Sequence, residues 1–135
     1  MISLERSVLR VLVVDDHELT RFSLKAALKS QADIELVGLA VNGQEALEMV
    51  QRHRPDVIIL DLQMPVMDGM SAAREIKRIV PHIQILAYSS LEDPQVEPLL
   101  REATIAELCR KDMPTADLIE KVRQLGLPLV EYPVF

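Results

Sequence analysis

Hydrophobic positions fall along the chain in two alternating kinds of segment. Val11–Val14, Val57–Leu60 and Ile83–Ala87 are short unbroken apolar runs, rich in Val, Ile and Leu and too short for helices. Such runs predict strands covered on both faces, as in a parallel sheet sandwiched by helices. Ile34–Ala40 opens with alternation at Ile34, Glu35 and Leu36, which predicts a half-exposed edge strand. Ile105–Cys109 is a fifth, weaker run, interrupted by Glu107.

The segments between these runs carry helical spacing. Leu24, Ala27 and Leu28 share a face beyond His17–Thr20. Asn42 is placed to cap the next helix, with Glu45 three residues on in capping-box position. That helix carries Ala46, Leu47 and Val50 on one face and is stopped by Pro55. Met70, Ala73, Ile76 and Val80 form a third stripe, ended by Pro81. Leu118, Ile119, Val122 and Leu125 form the last, with Asp112 or Thr115 before it and Gly126 after it as terminator. A further helix is expected within Leu91–Thr104, where Pro94 suits a first turn. Pro98 falls a turn further in, where it removes a hydrogen bond and clashes with the preceding turn. A short, late-starting or distorted helix is predicted there.

Strand followed by helix, five times over, predicts an α/β fold: a doubly wound parallel sheet with helices on both faces. Residues 1–126 are read as one domain with its core in 10–126. Residues 127–135 hold two prolines and two of the four aromatics, and are read as a tail that packs back or as the start of a linker.

Composition narrows the functional classes. Nearly half the residues are hydrophobic and 27% are charged, which fits a globular domain and excludes a disordered chain. The net charge of −6 disfavours binding to nucleic acid, which depends on Lys and Arg neutralising phosphates. No apolar run approaches the roughly 20 residues of a membrane helix, and Met1–Arg10 lacks a signal-peptide core, so a cytoplasmic chain is expected. Cys109 is the one cysteine, which rules out an internal disulfide; it is read as a buried small residue.

In open parallel α/β sheets, ligands bind at the carboxyl ends of the strands. Asp15 and Asp16 follow the first strand, Asp61 the third, Ser89 and Ser90 the fourth, and Lys111 the fifth. Any one of these alone would be a turn residue, a helix cap or a solvated charge. Together they bring three carboxylates, a hydroxyl and an ammonium to one edge. Clustered carboxylates push one another toward protonation unless a cation neutralises them, and an oxygen-only ligand set suits Mg²⁺. An Asp oxygen can then attack phosphorus, with Mg²⁺ and Lys111 offsetting the charge of the transferring group. The three histidines are read plainly: His17 starts a helix, His53 ends one and His82 sits in a turn, none at metal-ligand spacing.

With Val11–Asp16 (VLVVDD), Asp61–Gly69 (DLQMPVMDG), Ser89 and Lys111 in place, the chain resembles the response regulator receiver domain, with its CheY-like, flavodoxin-like fold. The resemblance runs from about Arg10 to Gly126 and implies strand order 2-1-3-4-5. It implies that Asp61 is the phosphoacceptor. Asp16 and Asp61 would ligand Mg²⁺ directly, together with the backbone carbonyl of Gln63, and Asp15 would help through water. Lys111 would pair with the phosphoryl group and Ser89 would hydrogen-bond it. Pro65 and Gly69 would shape the loop after Asp61, the glycine by a backbone conformation that other residues resist. The donor would be a histidine kinase or phosphotransfer protein, and the output a protein target, with a homodimer as one form it could take. Such a chain is a signalling domain that assists its own phosphorylation and dephosphorylation rather than an enzyme with a separate substrate.

Asp15-Asp16-His17 leading into Leu19 and Arg21, and Lys111-Asp112, resemble receivers of the NarL/LuxR type, which precede a helix-turn-helix. None occurs in these 135 residues, so the chain acts alone or is a receiver cut from a longer protein. It departs from the pattern at Leu108, where the family has an aromatic, and at Thr104–Glu107. That shifts the expected output surface from the fourth helix to the first and last. The competing reading is a pseudo-receiver, a binding module that works without phosphorylation. Asp-nucleophile phosphatases and flavin binders fit poorly: the first have a D-x-D pattern after the first strand, the second a glycine- and hydroxyl-rich loop.

Overall fold

The computed structural model describes residues 8–64, 69–90 and 96–126, and the backbone alone at 2–3 and 132–133. Five strands form one sheet: β1 (Leu9–Val14), β2 (Ile34–Ala40), β3 (Val57–Leu60), β4 (Gln84–Ser89) and β5 (Glu107–Arg110). They alternate with α1 (Glu18–Lys29), α2 (Gly43–His53), α3 (Gly69–Ile79), α4 (Val96–Arg101) and α5 (Thr115–Gly126). The strand order is β2-β1-β3-β4-β5, all neighbours parallel, as the resemblance implied. Ile2–Ser3 also pairs antiparallel with Tyr132–Pro133.

Strand periodicity sorts the core into two layers. Leu12, Val14, Ile58, Leu60 and Ile85 face Ala46 and Val50 of α2, Ala73 and Ile76 of α3 and Leu99 of α4. Val11, Val13, Ile59, Leu86 and Tyr88 face Leu24 and Leu28 of α1 and Leu118 and Val122 of α5. Each fully buried Val, Leu or Ile among them contributes about 1.5–3 kcal/mol. β2 is the half-buried edge strand its alternation predicted.

The boundaries follow from local chemistry. Asn42 Oδ1 accepts the Glu45 N–H at 2.8 Å, and Glu45 Oε1 accepts the Val41 N–H at 3.2 Å, one residue before the usual capping-box partner. Pro55 denies Arg54 the helical conformation, and the chain leaves α2 through a left-handed Arg54 at φ 49°. α4 is short and late, with Pro98 as its third residue, where no intrahelical N–H is needed. Pro94 lies outside the described residues.

Three expectations are corrected. The fifth strand starts at Glu107 because Ile105 N–H still bonds Leu99 O at the end of α4, and pairing begins at Leu86–Glu107. Neither Asp112 nor Thr115 opens α5 as its cap. Pro114 precedes the helix, and its carbonyl takes the N–H groups of Asp117 and Leu118. Gly126 lies inside α5 as its last residue and has no positive φ. It is glycine because an added Cβ would stand 2.3 Å from Leu9 Cδ2.

Candidate functional site: an acidic pocket at the carboxyl edge of the sheet

Backbone bonds that continue the sheet past the strand ends set the positions of the site residues. Asp15 N–H donates to Ala40 O at 3.0 Å, Asp61 N–H to Val14 O at 2.9 Å, and Lys111 N–H to Ser89 O at 2.8 Å. The first residue after each of β1, β3 and β5 is thereby locked at one edge. Arg21, from α1, donates to Asp15 O at 2.8 Å and pins the turn between β1 and α1.

Asp15, Asp61 and Ser89 are buried, at 1%, 3% and 1% exposure, which places two carboxylates where charge is costly. Lys111 answers both. Its Nζ lies 2.7 Å from Asp15 Oδ2, off the hydrogen-bond direction, and 3.4 Å from Asp61 Oδ2. Asp61 Oδ1 accepts the Gln63 N–H at 2.9 Å, closing a turn that holds the carboxyl in place. Burial raises the Asp61 pKa and the Asp15 charge adds to it, against the Gln63 N–H and Lys111. Burial would depress Lys111, but contact with Asp15 and then the charge of Asp61 carry its pKa above the ordinary lysine value.

Asp16 stands beside this group, partly exposed. Its Oδ1 is sealed from solvent yet accepts no hydrogen bond. A buried carboxylate oxygen left without a donor is costly, and a cation would satisfy it. The carboxylates of Asp15, Asp16 and Asp61, grouped with His17 so that one ligand atom of each lies within 4.8 Å of the others, fit a hard divalent ion such as Mg²⁺.

The structure therefore brings Asp15, Asp16, Asp61 and Lys111 into one pocket. Ser89 is buried at the end of β4 and joined to Lys111 by its carbonyl. Gln63 sits two residues past Asp61, with an exposed side chain. Pro65 lies outside the described residues. Gly69 is required for a reason other than the one expected. No described glycine has a positive φ, but a Cβ at Gly69 would stand 2.2 Å from Leu62 Cα and 2.6 Å from Asp61 O. The glycine lets the start of α3 press against the backbone that carries the Asp61 carboxyl.

Two site residues were missed in the sequence. His17 does precede α1, but its Nδ1 also lies 2.9 Å from Asp15 Oδ1, 3.1 Å from Asp16 Oδ1 and 3.9 Å from Asp61 Oδ2. Its place next to the acidic pair was the available signal. Tyr88 puts its ring 5.7 Å from Lys111 Nζ. It precedes Ser89, so strand alternation turns it to the α1/α5 face, while Leu108 packs on the α2–α4 side. An aromatic does meet the lysine, from the neighbouring strand and the opposite face. Beside them, between α1 and α5, a cavity of about 280 Å³ is lined by Leu19, Thr20, Ser23, Leu24, Tyr88, Lys111 and Thr115.

Comparison with known proteins agrees with this architecture. The family model for the response regulator receiver domain matches residues 11–123. The response regulator protein VraR of Staphylococcus aureus is 37% identical over 117 residues, covering 86% of this chain and 56% of that protein. The chain thus spans little more than half of that relative. The signal receiver domain of NarL from Mycobacterium tuberculosis superposes with a TM-score of 0.82 at 30% identity, covering 90% of this chain and 98% of that one. The response regulator domain of CheB from Thermotoga maritima gives 0.78 at 32% identity, covering 89% and 97%. Among the described residues no helix is long and apolar enough to cross a membrane. With the family model covering most of the chain, and the parallel sheet in receiver order carrying its acidic pocket at the expected edge, this protein belongs to the response regulator receiver domains of two-component systems.

Proposed function

We propose that Asp61 accepts a phosphoryl group from a phosphohistidine of a histidine kinase or phosphotransfer protein, and that the modified domain then changes its protein contacts. The observation that carries this reading is the buried Asp61 carboxyl. It is anchored through Oδ1 by the Gln63 N–H and faces Lys111 through Oδ2. A carboxylate oxygen of Asp61 attacks phosphorus, an O–P bond forms, and the P–N bond of the donor breaks. The imidazole leaves with the electron pair and takes up a proton. Lys111, freed from part of its contact with Asp15, pairs with the phosphoryl oxygens, and the Ser89 hydroxyl donates to one of them. Water later attacks the phosphorus, giving inorganic phosphate and the free carboxylate. The chain is on this account a phosphoacceptor, with no separate substrate to turn over.

Asp16, Asp61 and the Gln63 carbonyl would hold Mg²⁺, with Asp15 acting through water. When bound, Mg²⁺ supplies positive charge against the equatorial oxygens of the transferring group. The orphaned Asp16 oxygen supports this assignment.

The output reading rests on Tyr88 and α1. Tyr88 couples Lys111 to the α1/α5 side, where Leu19 and Phe22 stand 78% and 68% exposed. That side is the proposed contact surface for a protein partner, a second copy included, in the cytoplasm where a kinase would meet it. A phosphorylation-dependent change confined to residues 91–110 would refute it.

The test is intact-protein mass after incubation with acetyl phosphate or phosphoramidate, with and without Mg²⁺, beside Asp61→Asn. A phosphoryl-sized gain that needs both Mg²⁺ and Asp61 is expected. No gain in a folded wild-type chain would overturn the reading in favour of a phosphorylation-independent binding module.

A further inference from the structure

The cavity between α1 and α5 is separate in chemistry from the acidic pocket: among the described residues, none of those carboxylates lines it. Its volume of about 280 Å³ is close to the lower end of small-molecule sites, which run from about 300 to about 1,000 Å³. Of its lining residues, only Lys111 takes part in the proposed phosphoryl chemistry.

Three features at this cavity lack partners. Tyr88 is 7% exposed, yet among the described residues its hydroxyl makes no hydrogen bond. A buried phenol ordinarily finds a partner, and this one lines the cavity. Lys111 lines it as well. An ammonium has three donors, and the described residues take one, in the 3.4 Å bond to Asp61. Thr115, also in the lining, is the first residue of the 12-residue helix α5. Pro114 O takes the N–H groups of Asp117 and Leu118, while those of Thr115 and Ala116 have no partner among the described residues. The positive end of α5 thus adjoins the cavity with two donors unused.

The hydroxyls of Thr20, Ser23 and Thr115 complete the polar lining, and Leu19 and Leu24 give it an apolar wall. Every polar side chain in this set can donate a hydrogen bond and none is a carboxylate. A cation would find no counter-charge here, whereas an anion finds an ammonium, free hydroxyls and a helix N-terminus. We propose that the cavity between α1 and α5 binds a small organic acid, a monocarboxylate whose head accepts from Tyr88, Lys111 and the start of α5 and whose apolar body lies on Leu19 and Leu24. The occupant engages the ammonium that phosphoryl transfer to Asp61 also needs, so it slows that transfer. This coupling rests on the reading of Lys111 as the partner of the phosphoryl group; the binding does not.

The test uses the full chain in EDTA as wild type, Tyr88→Phe and Ser23→Phe, each checked for fold by circular dichroism. Nitrogen-15-labelled protein is titrated by NMR with benzoate and 3-methylbutyrate, with benzamide and benzylamine as neutral and cationic matches, and with inorganic phosphate as a head group without a body. A carboxylate is expected to saturate with a Kd below about 1 mM, moving the amide signals of Thr20, Ser23, Thr115 and Ala116. Benzamide should bind about tenfold more weakly and benzylamine not at all. Tyr88→Phe keeps the ring and loses the hydroxyl, and should weaken carboxylate binding about tenfold; Ser23→Phe fills the space and should abolish it. With Mg²⁺ and phosphoramidate, the carboxylate at ten times its Kd should slow mass labelling of the wild type about tenfold, in step with the free fraction. The proposal is overturned if neither carboxylate saturates, or if benzamide, benzylamine or phosphate binds as well. Wild-type affinity in both variants, or shifts centred on Asp16 and Gln63 instead, also overturns it. Saturation with unchanged labelling overturns the coupling alone. A protein that takes no label even without the carboxylate overturns the Asp61 reading, and the titration still decides the cavity.

Discussion

Replacing Gly69 by alanine tests whether the start of α3 is built against the backbone that carries Asp61. The added Cβ would stand 2.2 Å from Leu62 Cα, 2.6 Å from Asp61 O and 2.8 Å from Leu62 C, where ordinary contact begins near 3.4 Å. All three atoms are backbone, so no rotamer change relieves the clash. The two segments must part by roughly 1 Å, in an interior that packs like an organic crystal. Gly69 N–H also donates to Leu62 O at 3.1 Å, and that bond is strained by the same movement. Overpacking of this kind costs about 1–3 kcal/mol, and rigid backbone neighbours put Gly69 in the upper half, about 2–3 kcal/mol. The unfolded-state gain from alanine, roughly 0.4–1 kcal/mol, offsets only part of this. That leaves a net loss of about 1–2.6 kcal/mol; for a domain of this length each kcal/mol moves the Tm by roughly 3–5 °C, so a fall of about 3–13 °C is expected. Urea titration gives the free energy directly. Displacing Asp61 by a fraction of that 1 Å should also slow phosphorylation by acetyl phosphate, by about tenfold or more. A Gly69→Ala protein within about 0.5 kcal/mol of wild type, phosphorylated at the wild-type rate, would refute the argument.

Gly126→Ala provides the contrast: its Cβ meets only the end of the Leu9 side chain, so the cost should be smaller, and adding Leu9→Ala should show a coupling of about 0.5–3 kcal/mol in urea unfolding. Lys111→Met removes the cation between two buried carboxylates and should cost about 2–4 kcal/mol without metal. That is below the range for a fully buried pair, because Lys111 retains 15% exposure, and added Mg²⁺ should restore more Tm here than in wild type. The Arg123–Asp33 fork, at 2.7 and 3.1 Å, ties α5 to the turn before β2 and holds the Asp33 carboxyl below its ordinary 3.8. Both groups are partly exposed, so Asp33→Asn should cost less than about 1 kcal/mol. A depressed carboxyl pKa contributes fully above 3.8 and is lost as pH falls through the lower folded value, so the two proteins should differ at neutral pH and converge in acid.

Much of this was legible because strand and helix periods differ so plainly. Val57–Leu60 and Ile34–Ala40 kept their predicted limits, since each run is closed by a polar residue or a turn. The proline argument for α4 held because proline acts locally. The ends of β5 and α5 were not legible, because both depend on partners in other elements: Leu99 of α4 and Ile85 of β4 for the first, Leu9 of β1 for the glycine of the second. The same limit governs the site. Asp15, Asp61 and Lys111 could be gathered by counting strand ends. The ring directions of His17 and Tyr88 follow from side-chain geometry that no spacing rule supplies. Gly69 was singled out for its backbone freedom, yet its role is set by how closely two backbones approach.

The chain has no tryptophan and two tyrosines, Tyr88 and Tyr132. With Tyr132 replaced by phenylalanine, near-ultraviolet absorption and emission would arise from one phenol, whose ring lies 5.7 Å from the Lys111 ammonium. That ring is buried, and burial raises the phenol pKa, so it stays neutral across the working range and its spectrum answers to the charge beside it. On the proposed mechanism, movement of Lys111 from Asp15 toward a phosphoryl group would alter the local field at the chromophore. The phenol would then serve as a label-free optical gauge of that switching, readable in a stopped-flow cuvette without attaching a dye.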